Sequence, residues 1–475
     1  MTQIPSKKAK DLETLNVGAN THLIGYDSKG GKLGLIAVSS IKGNVPWFGR
    51  RWQKGMATTV GKAVGDLDLG RSFARTIGLG GYLVQNNHSR EKLSASNHNY
   101  KESGAAADLT GASGHYNWGW NVPMYYQVYE DEAYLYETFS LGAPRPGYWN
   151  YYIPVGSRSC AGFAAMDRTN NILKSAVNST AQYRGGNNDA SLDNEYNSQL
   201  CKPATNLNIK TFREAARRNG TLWFANERVM QYVTAALKRV ILGNRNIQAA
   251  FEPGLDDDGL RRGGTGPGID LPDDWNGHFG YYPYIRLDVG ISYGDYTGIN
   301  TTPITENGQT KVISHIPSFY GLKNDYKYLG AISENMLLRC NADKSQSLFI
   351  NNDIDGSLMN LDSVAGNVQI ATGPVAEAAG WQYAKEYTLK NLSFFPGSEL
   401  GGSESTFYGD GYYNPAATDG LRAACLLGFA SNGGYAGSLF LYGNYAVSNA
   451  YAYLGAFLCE WAEAFTTEPV WCMED

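Results

Sequence analysis

The sequence predicts an α+β fold in which strands dominate and long loops connect them, and three observations carry that reading. Gly (56 of 475 residues) and Tyr (33) are both abundant while only 18% of residues are charged, a composition suited to many turns and irregular surface. Only two segments have a strong helical pattern, and short strand-like runs surround them. Strands and helices do not alternate as they do in βαβ units, so a parallel sheet is not expected.

Taken in order, residues 1–45 read as a small β-rich module. The stretch LIGYDSKGGKLGLIAVSSIKG sets two apolar runs around DSKGG, a hairpin turn signal. Residues 46–114 are polar, Gly-rich and weakly periodic, and are expected to be a linker or extended segment. Aromatic residues crowd in from His115, alternating with polar ones as strands do, and open the main domain, 115–475. Two helices follow. NIKTFREAARRNG closes on Gly220, and FANERVMQYVTAALKRVILGN sets Val229, Val233, Ala236, Leu237, Val240 and Ile241 on one face before Gly243. A turn-rich excursion, EPGLDDDGLRRGGTGPGIDLPDDWNGH, opens an insertion at about 253–400, and strand-like runs continue to the end.

The formal net charge is −5 with no Lys/Arg cluster, which argues against a nucleic-acid partner because counterion release needs a basic face. The N-terminus has basic residues with no apolar run behind them, so no secretory signal is read there, and no window is long and apolar enough to predict insertion into a membrane. The chain is expected to fold in a cytosol. Six scattered cysteines, with no CxxC, are expected to be buried thiols and not a zinc site or a disulfide framework.

Chemistry is sparse. Asp256, Asp257 and Asp258 stand in a row, whereas a calcium loop needs alternating ligands, so a solvated acidic turn is the better reading. Gly263–Gly268 lacks the Lys and Ser/Thr of a phosphate loop. The six histidines lie in no G-x-S-x-G or H-E-x-x-H context. Asp410, Asp419, Glu404 and Glu460 are loose candidates for a paired-carboxylate glycosidase. The sequence therefore predicts no catalytic residue, no metal and no cofactor, and a chain that is not an enzyme.

The stretch from Cys425 to Leu458 holds no Asp, Glu, Lys, Arg or His, while Tyr recurs among Asn, Ser, Gly and Ala. A buried strand pair would account for Leu439, Phe440, Leu441, Leu454 and Phe457. It would account poorly for YGNYAVSNAYAY, whose Asn and Ser would need buried partners. Tyr with Ser, Gly and Asn is the composition of antibody loops, where rigid amphipathic rings supply contact area and small residues adapt. An exposed binding surface is the preferred reading.

FFPGSELGGSESTFYGDGYYNPAATDGLRAACLLG, running on through NGGYAGSLFLYGNYAVSNAYAYLGAFLC, resembles the variable proteins targeted by diversity-generating retroelements. It is similar in particular to phage receptor-binding proteins of the major tropism determinant type, which have a C-type lectin fold. In that family adenines in AAC or AAT codons are mutated, which yields Tyr, Asn, Ser, Asp, Gly, Ala, Phe, Leu and similar residues but never Lys, Glu, Gln, Trp or Met. Residues 428–455 contain none of those five. The resemblance extends over 115–475 through YYIPVGSRSCAGFAAMDRTNNILKSAV, QLCKPATNLNIKTFREAARRNGTLWF, GNRNIQAAF and GDYTG. The N-terminal IPSKKAKDLETL and LIGYDSKGGKLGLI are similar to virion-attachment segments of phage fibre proteins.

The resemblance implies a C-type lectin-like domain with long inserted loops behind an N-terminal virion-attachment module. It implies a homotrimer in the virion, made in a bacterial host, that binds a bacterial cell-surface protein or glycan and meets other phage tail proteins through its N-terminus. Receptor contact would fall to Phe429, Ser431, Asn432, Tyr435, Tyr442, Asn444, Tyr445, Ser448, Asn449, Tyr451 and Tyr453, all exposed within the variable segment at about 425–458. Gly433, Ala436, Gly437, Gly443, Ala446, Ala450, Ala452 and Gly455 would be the fixed frame. Leu426 and Leu427 depart from the pattern, since related sequences often carry glycine there. A tail-spike enzyme acting on surface polysaccharide and a purely structural decoration protein are the competing readings.

Overall fold

The computed structural model describes residues 22–26, 33–37, 45–186, 191, 199–269, 283–306 and 309–473. The fold is mostly β-sheet, with 11% helix. Among the described residues no helix is long and apolar enough to cross a membrane. His22–Tyr26 and Leu33–Ala37 pair antiparallel as the apolar runs suggest. The turn between them and the rest of 1–44 lie outside the described residues.

Three larger sheets make up the body. The first is antiparallel, in the order Val470–Trp471, Trp149–Ile153, Met124–Glu130, Tyr134–Leu141, Trp47–Gln53, Lys62–Gly65. The second runs Trp223–Ala225, Leu458–Trp461, Gly156–Ser159, His115–Trp120, Gly80–Val84, Arg90–Lys92. The third runs Val368–Thr372, Gln346–Ile350, Gly330–Cys340, Leu421–Leu427, Gly437–Tyr445, Gly411–Asn414, Gly380–Tyr383.

Helix α1 (Leu67–Thr76) and the strands Trp47–Gln53 and Gly80–Val84 lie inside the stretch expected to be a linker. Asp66 caps α1, its carboxylate accepting the amides of Asp68 and Leu69. Phe48, Leu69, Phe73 and Leu83 join the main core, so 46–114 is folded structure and not a connector. The expected insertion at 253–400 differs in the same way. Gly330–Cys340 and Gln346–Ile350 lie within it, yet Gly330–Cys340 pairs directly with Leu421–Leu427. Long-range pairing of this kind leaves no local signal in the sequence.

Helix α2 (Ile209–Arg217) starts at Asn208, whose side chain accepts the Thr211 amide. Helix α3 (Arg228–Leu242) ends on Gly243, which takes a left-handed φ of 62°. The sequence predicts one apolar face for α3, but all fifteen of its residues are buried. It touches the first sheet at Trp47–Gln53 and Tyr134–Leu141, the second at Gly156–Ser159, and the third at Gly330–Cys340 and Gly437–Tyr445.

Its polar residues are therefore paired inside the protein. Arg239 donates to both oxygens of Glu137 at 2.8 and 2.7 Å, and Tyr126 donates to the same carboxylate at 2.7 Å. Burial alone would lower the Arg239 pKa, but the Glu137 carboxylate outweighs it and holds the guanidinium above its ordinary value. Lys238 meets Asp325 at 2.5 Å. Arg228 donates to the carbonyls of Asn391, Leu392 and Asn351 at 2.8, 3.0 and 2.6 Å. Glu227 caps the helix by accepting the amides of Val229 and Met230, each at 2.8 Å.

Glu137→Ala is expected to lower stability by about 3–5 kcal/mol, because it strands a buried guanidinium. The double variant Glu137→Leu/Arg239→Met is expected to recover much of that loss. Urea denaturation of both reads the difference, and equal losses would mean that the pair is not what the site requires.

Candidate functional site

The uncharged segment is built around the strand Gly437–Tyr445, which pairs antiparallel with Leu421–Leu427 and parallel with Gly411–Asn414. Its side chains alternate in strand fashion. Leu439 and Leu441 enter the core that contains α3, whereas Phe440 joins a second core against which Tyr442 and Tyr445 pack. Gln231 of α3 donates to the Ser438 carbonyl at 2.8 Å, which ties the central helix to this strand.

The frame glycines have specific reasons. A Cβ on Gly437 would lie 1.6 Å from the Asp410 carboxylate, whose other oxygen accepts the Leu439 amide at 3.0 Å. A Cβ on Gly443 would lie 2.2 Å from Gln346, which donates to the Gly443 carbonyl at 2.7 Å. Gly433 sits at φ 54° with open space around it, so its conformation and not crowding favours glycine. Leu427 is buried at φ 76°. That left-handed backbone suits glycine better than a branched side chain.

Of the eleven predicted contact residues, Ser431, Asn444, Ser448 and Tyr451 are exposed. Asn432, Tyr435, Tyr442, Tyr445, Asn449 and Tyr453 are half-buried. Phe429 does not match the expectation. It is 8% exposed, with its ring 5.1 Å from Tyr453, 6.1 Å from Tyr445 and 6.3 Å from Tyr442. An all-carbon ring gains more from that site than from water, so Phe429 supports the face from beneath. Asn432 accepts the Phe429 amide at 2.7 Å and Asn449 accepts the Ala446 amide at 2.8 Å, so both carboxamide oxygens shape turns.

The tyrosines touch one another in sequence. Tyr442–Tyr445, Tyr445–Tyr451 and Tyr451–Tyr453 have ring centroids 4.6, 5.6 and 5.1 Å apart. Three residues that sequence reasoning missed extend this row. Tyr413 stacks on Tyr442 at 4.6 Å, Trp381 lies 5.1 Å from Tyr435, and Tyr383 stacks on Tyr435 at 4.5 Å. These spacings suit aromatic pairing. The one available signal was the aromatic alternation in GWQY, 380–383. At the far end, Val447 and Ser448 line an open pocket of about 300 Å³ with Asn208, Lys210, Leu361, Asp362 and Leu421.

The carboxylates considered for chemistry stand in different surroundings. Glu460 is buried and meets Arg90 at 2.7 Å, His88 at 3.0 Å and Ser157 at 2.7 Å. Glu404 and Asp419 are exposed. In the acidic turn, Asp256 and Asp258 both pair with Arg262. All six cysteines are outside disulfides and five are buried.

A row of nucleophile, base and acid does occur, unannounced by any motif. Cys160 Sγ lies 3.8 Å from His98 Nδ1, and His98 Nε2 lies 2.8 Å from Asp295. Cys160, His98 and the neighbouring Lys323 are fully buried. Burial pushes the Cys160 thiol up, and burial with the Lys323 charge pulls His98 down to about 4. The thiol donates to the Gly321 carbonyl at 3.1 Å, and Lys323 Nζ lies 3.9 Å from the same sulfur.

No protein-family model matches this chain, and no curated protein matches it. Among solved structures, one described as a Major Tropism Determinant I1 variant matches with 12% identity over 95% of this chain and 97% of that chain, at a TM-score of 0.22. A score of that size does not establish a shared fold, and the significance of the tyrosine face rests on this chain's own residues.

Asp410 offers a test of the frame. Burial raises its carboxyl from 3.8 to about 8, against the opposing pull of the Leu439 amide, Arg239 and Lys238. The folded chain then keeps a proton that the unfolded chain has lost, so this group makes stability fall as pH rises from 3.8 to about 8. Asp410→Asn removes that slope. Its melting temperature relative to the parent is expected to be higher at pH 8.5 than at pH 5, and a pH-independent difference would count against the assignment. Gly437→Ala is expected to cost about 2–3 kcal/mol by chemical denaturation, because the added methyl overlaps the Asp410 carboxylate.

Proposed function

We propose that the chain is a phage receptor-binding protein whose lectin-type domain displays residues 429–453 to a receptor on the bacterial surface. The observation that carries this reading is the uncharged row of half-buried and exposed tyrosines, fringed by exposed Ser431, Asn444 and Ser448, that starts on the strand Gly437–Tyr445 and continues through the loop after it. Rigid rings lose little conformational entropy on contact, and the amide and hydroxyl groups around them adapt to different partners. The restricted residue set of 428–455 supports diversification of this segment by adenine mutagenesis. The N-terminal segment would attach the protein to the virion, and trimerisation would multiply individually weak contacts.

The burial pattern separates binding from stability. Simultaneous replacement of Ser431, Asn444, Ser448 and Tyr451 by residues of the same restricted set is expected to reduce adsorption to host cells at least tenfold, with stability within about 0.5 kcal/mol of the parent. Phe429→Ala is expected to cost about 3 kcal/mol in denaturation. Unchanged adsorption by the quadruple variant would sink the receptor-binding reading.

A further inference from the structure

We infer that Trp381, Tyr383 and Tyr413 form a constant half of the same face, a docking strip for an uncharged polypeptide segment of the receptor; this rests on the receptor-binding reading above. All three lie outside 425–458, so diversification of that segment leaves them in place. Trp is also beyond the reach of AAC and AAT mutagenesis.

Sheet register puts them on one surface. Trp381 lies opposite Tyr413, and Tyr413 lies opposite Tyr442. Trp381 and Tyr383, two residues apart in a strand, share a face. Trp381 lies 5.2 Å from Tyr413 and 5.5 Å from Tyr442, so the fixed and variable rings are continuous. Each of the three is half-buried. A receptor seated on Tyr442 and Tyr435 meets them without further movement.

Two features favour a polypeptide over a sugar. First, the rings stack on one another, with interplanar angles of 23° for Trp381–Tyr435, 20° for Tyr383–Tyr435 and 26° for Tyr413–Tyr442. Ring faces are spent on ring–ring contact, which leaves edges and hydroxyls outward, whereas a pyranose stacks on an open face. Second, Gly380–Tyr383 is the edge strand of its sheet; at its C-terminal end the Tyr383 carbonyl accepts the Gly401 amide at 3.0 Å and Ala384 bridges Leu400, and among the described residues no strand pairs with the outer side ahead of that point. An edge strand presents backbone groups that an extended polypeptide can match. Neither GWQY nor GYYN, 411–414, carries a charge, so the matching segment is uncharged.

Hydroxyl-radical footprinting of the full chain on envelope vesicles from an adsorbing host tests this without a variant. Labelling at Trp381, Tyr383 and Tyr413 is expected to fall at least threefold together with labelling at 442–453. Protection of 442–453 alone would overturn the strip and leave the receptor reading standing, whereas absence of adsorption would sink both. Protease treatment of the vesicles is expected to abolish adsorption. Loss after periodate and not after protease would overturn the polypeptide occupant. Trp381→Ser, placed in two chains that differ only within 425–458, is expected to weaken adsorption about tenfold in both, each on its own host. An effect in neither, with the melt intact, would overturn the strip.

Discussion

The bidentate pairing of Arg239 with Glu137 lies at the centre of the protein, and the sheets are arranged around the helix that carries it. Helix α3 touches all three large sheets, so its polar side chains must find partners there. Arg239 reaches the first sheet, and Arg228 reaches the loops at Asn351 and Asn391. Gln231 reaches the Ser438 carbonyl in the third sheet and accepts from Arg158 in the second at 2.9 Å. Removing one partner from such a site costs more than the pair itself contributes, because the survivor remains desolvated. The helix is thus held in one rotation about its axis, and with it the strand Gly437–Tyr445.

From that strand outward, constraint gives way to freedom over a few residues. Gly437 and Gly443 are fixed by the carboxylate and carboxamide that crowd them, and Leu439 and Leu441 by the core. Tyr442 and Tyr445 are held on one side only, and Asn444 is open to water. Alternation along a strand delivers this gradient, since neighbouring side chains point to opposite faces. A register shift between Tyr442 and Tyr445 then brings both rings to one face, 4.6 Å apart, with Asn444 open to water between them.

The sequence was most informative where local rules govern. Helices α2 and α3 were legible from periodicity and their caps, and the unusual character of 425–458 was legible from its lack of charge. Helix α1 was not, although Asp66 caps it. Gly70 interrupts its interior, and glycine-rich neighbours mask a short amphipathic turn. Folding of 46–114 depends on pairing with Tyr134–Leu141 and His115–Trp120, which a weakly periodic stretch does not advertise. Trp381 and Tyr413 were missed because their relation to Tyr442 exists only through sheet register. Phe429 was misplaced because codon logic shows which residues can vary and not which way each points.

The half-burial of the tyrosines sets the cost of any substitution among them. A fully exposed position can change at little energetic cost, as at Ser448 or Asn444. At Tyr445 or Tyr453 the ring also covers Phe429 and its neighbours, so a small replacement uncovers apolar surface, at a cost of about 25 cal/mol per Å². Tyr is well matched to this dual requirement, because one end of its ring is apolar and the other is wet. Selection for stability and selection for binding would then both favour Tyr at the same positions. The abundance of Tyr in this segment thus suits the architecture beneath it.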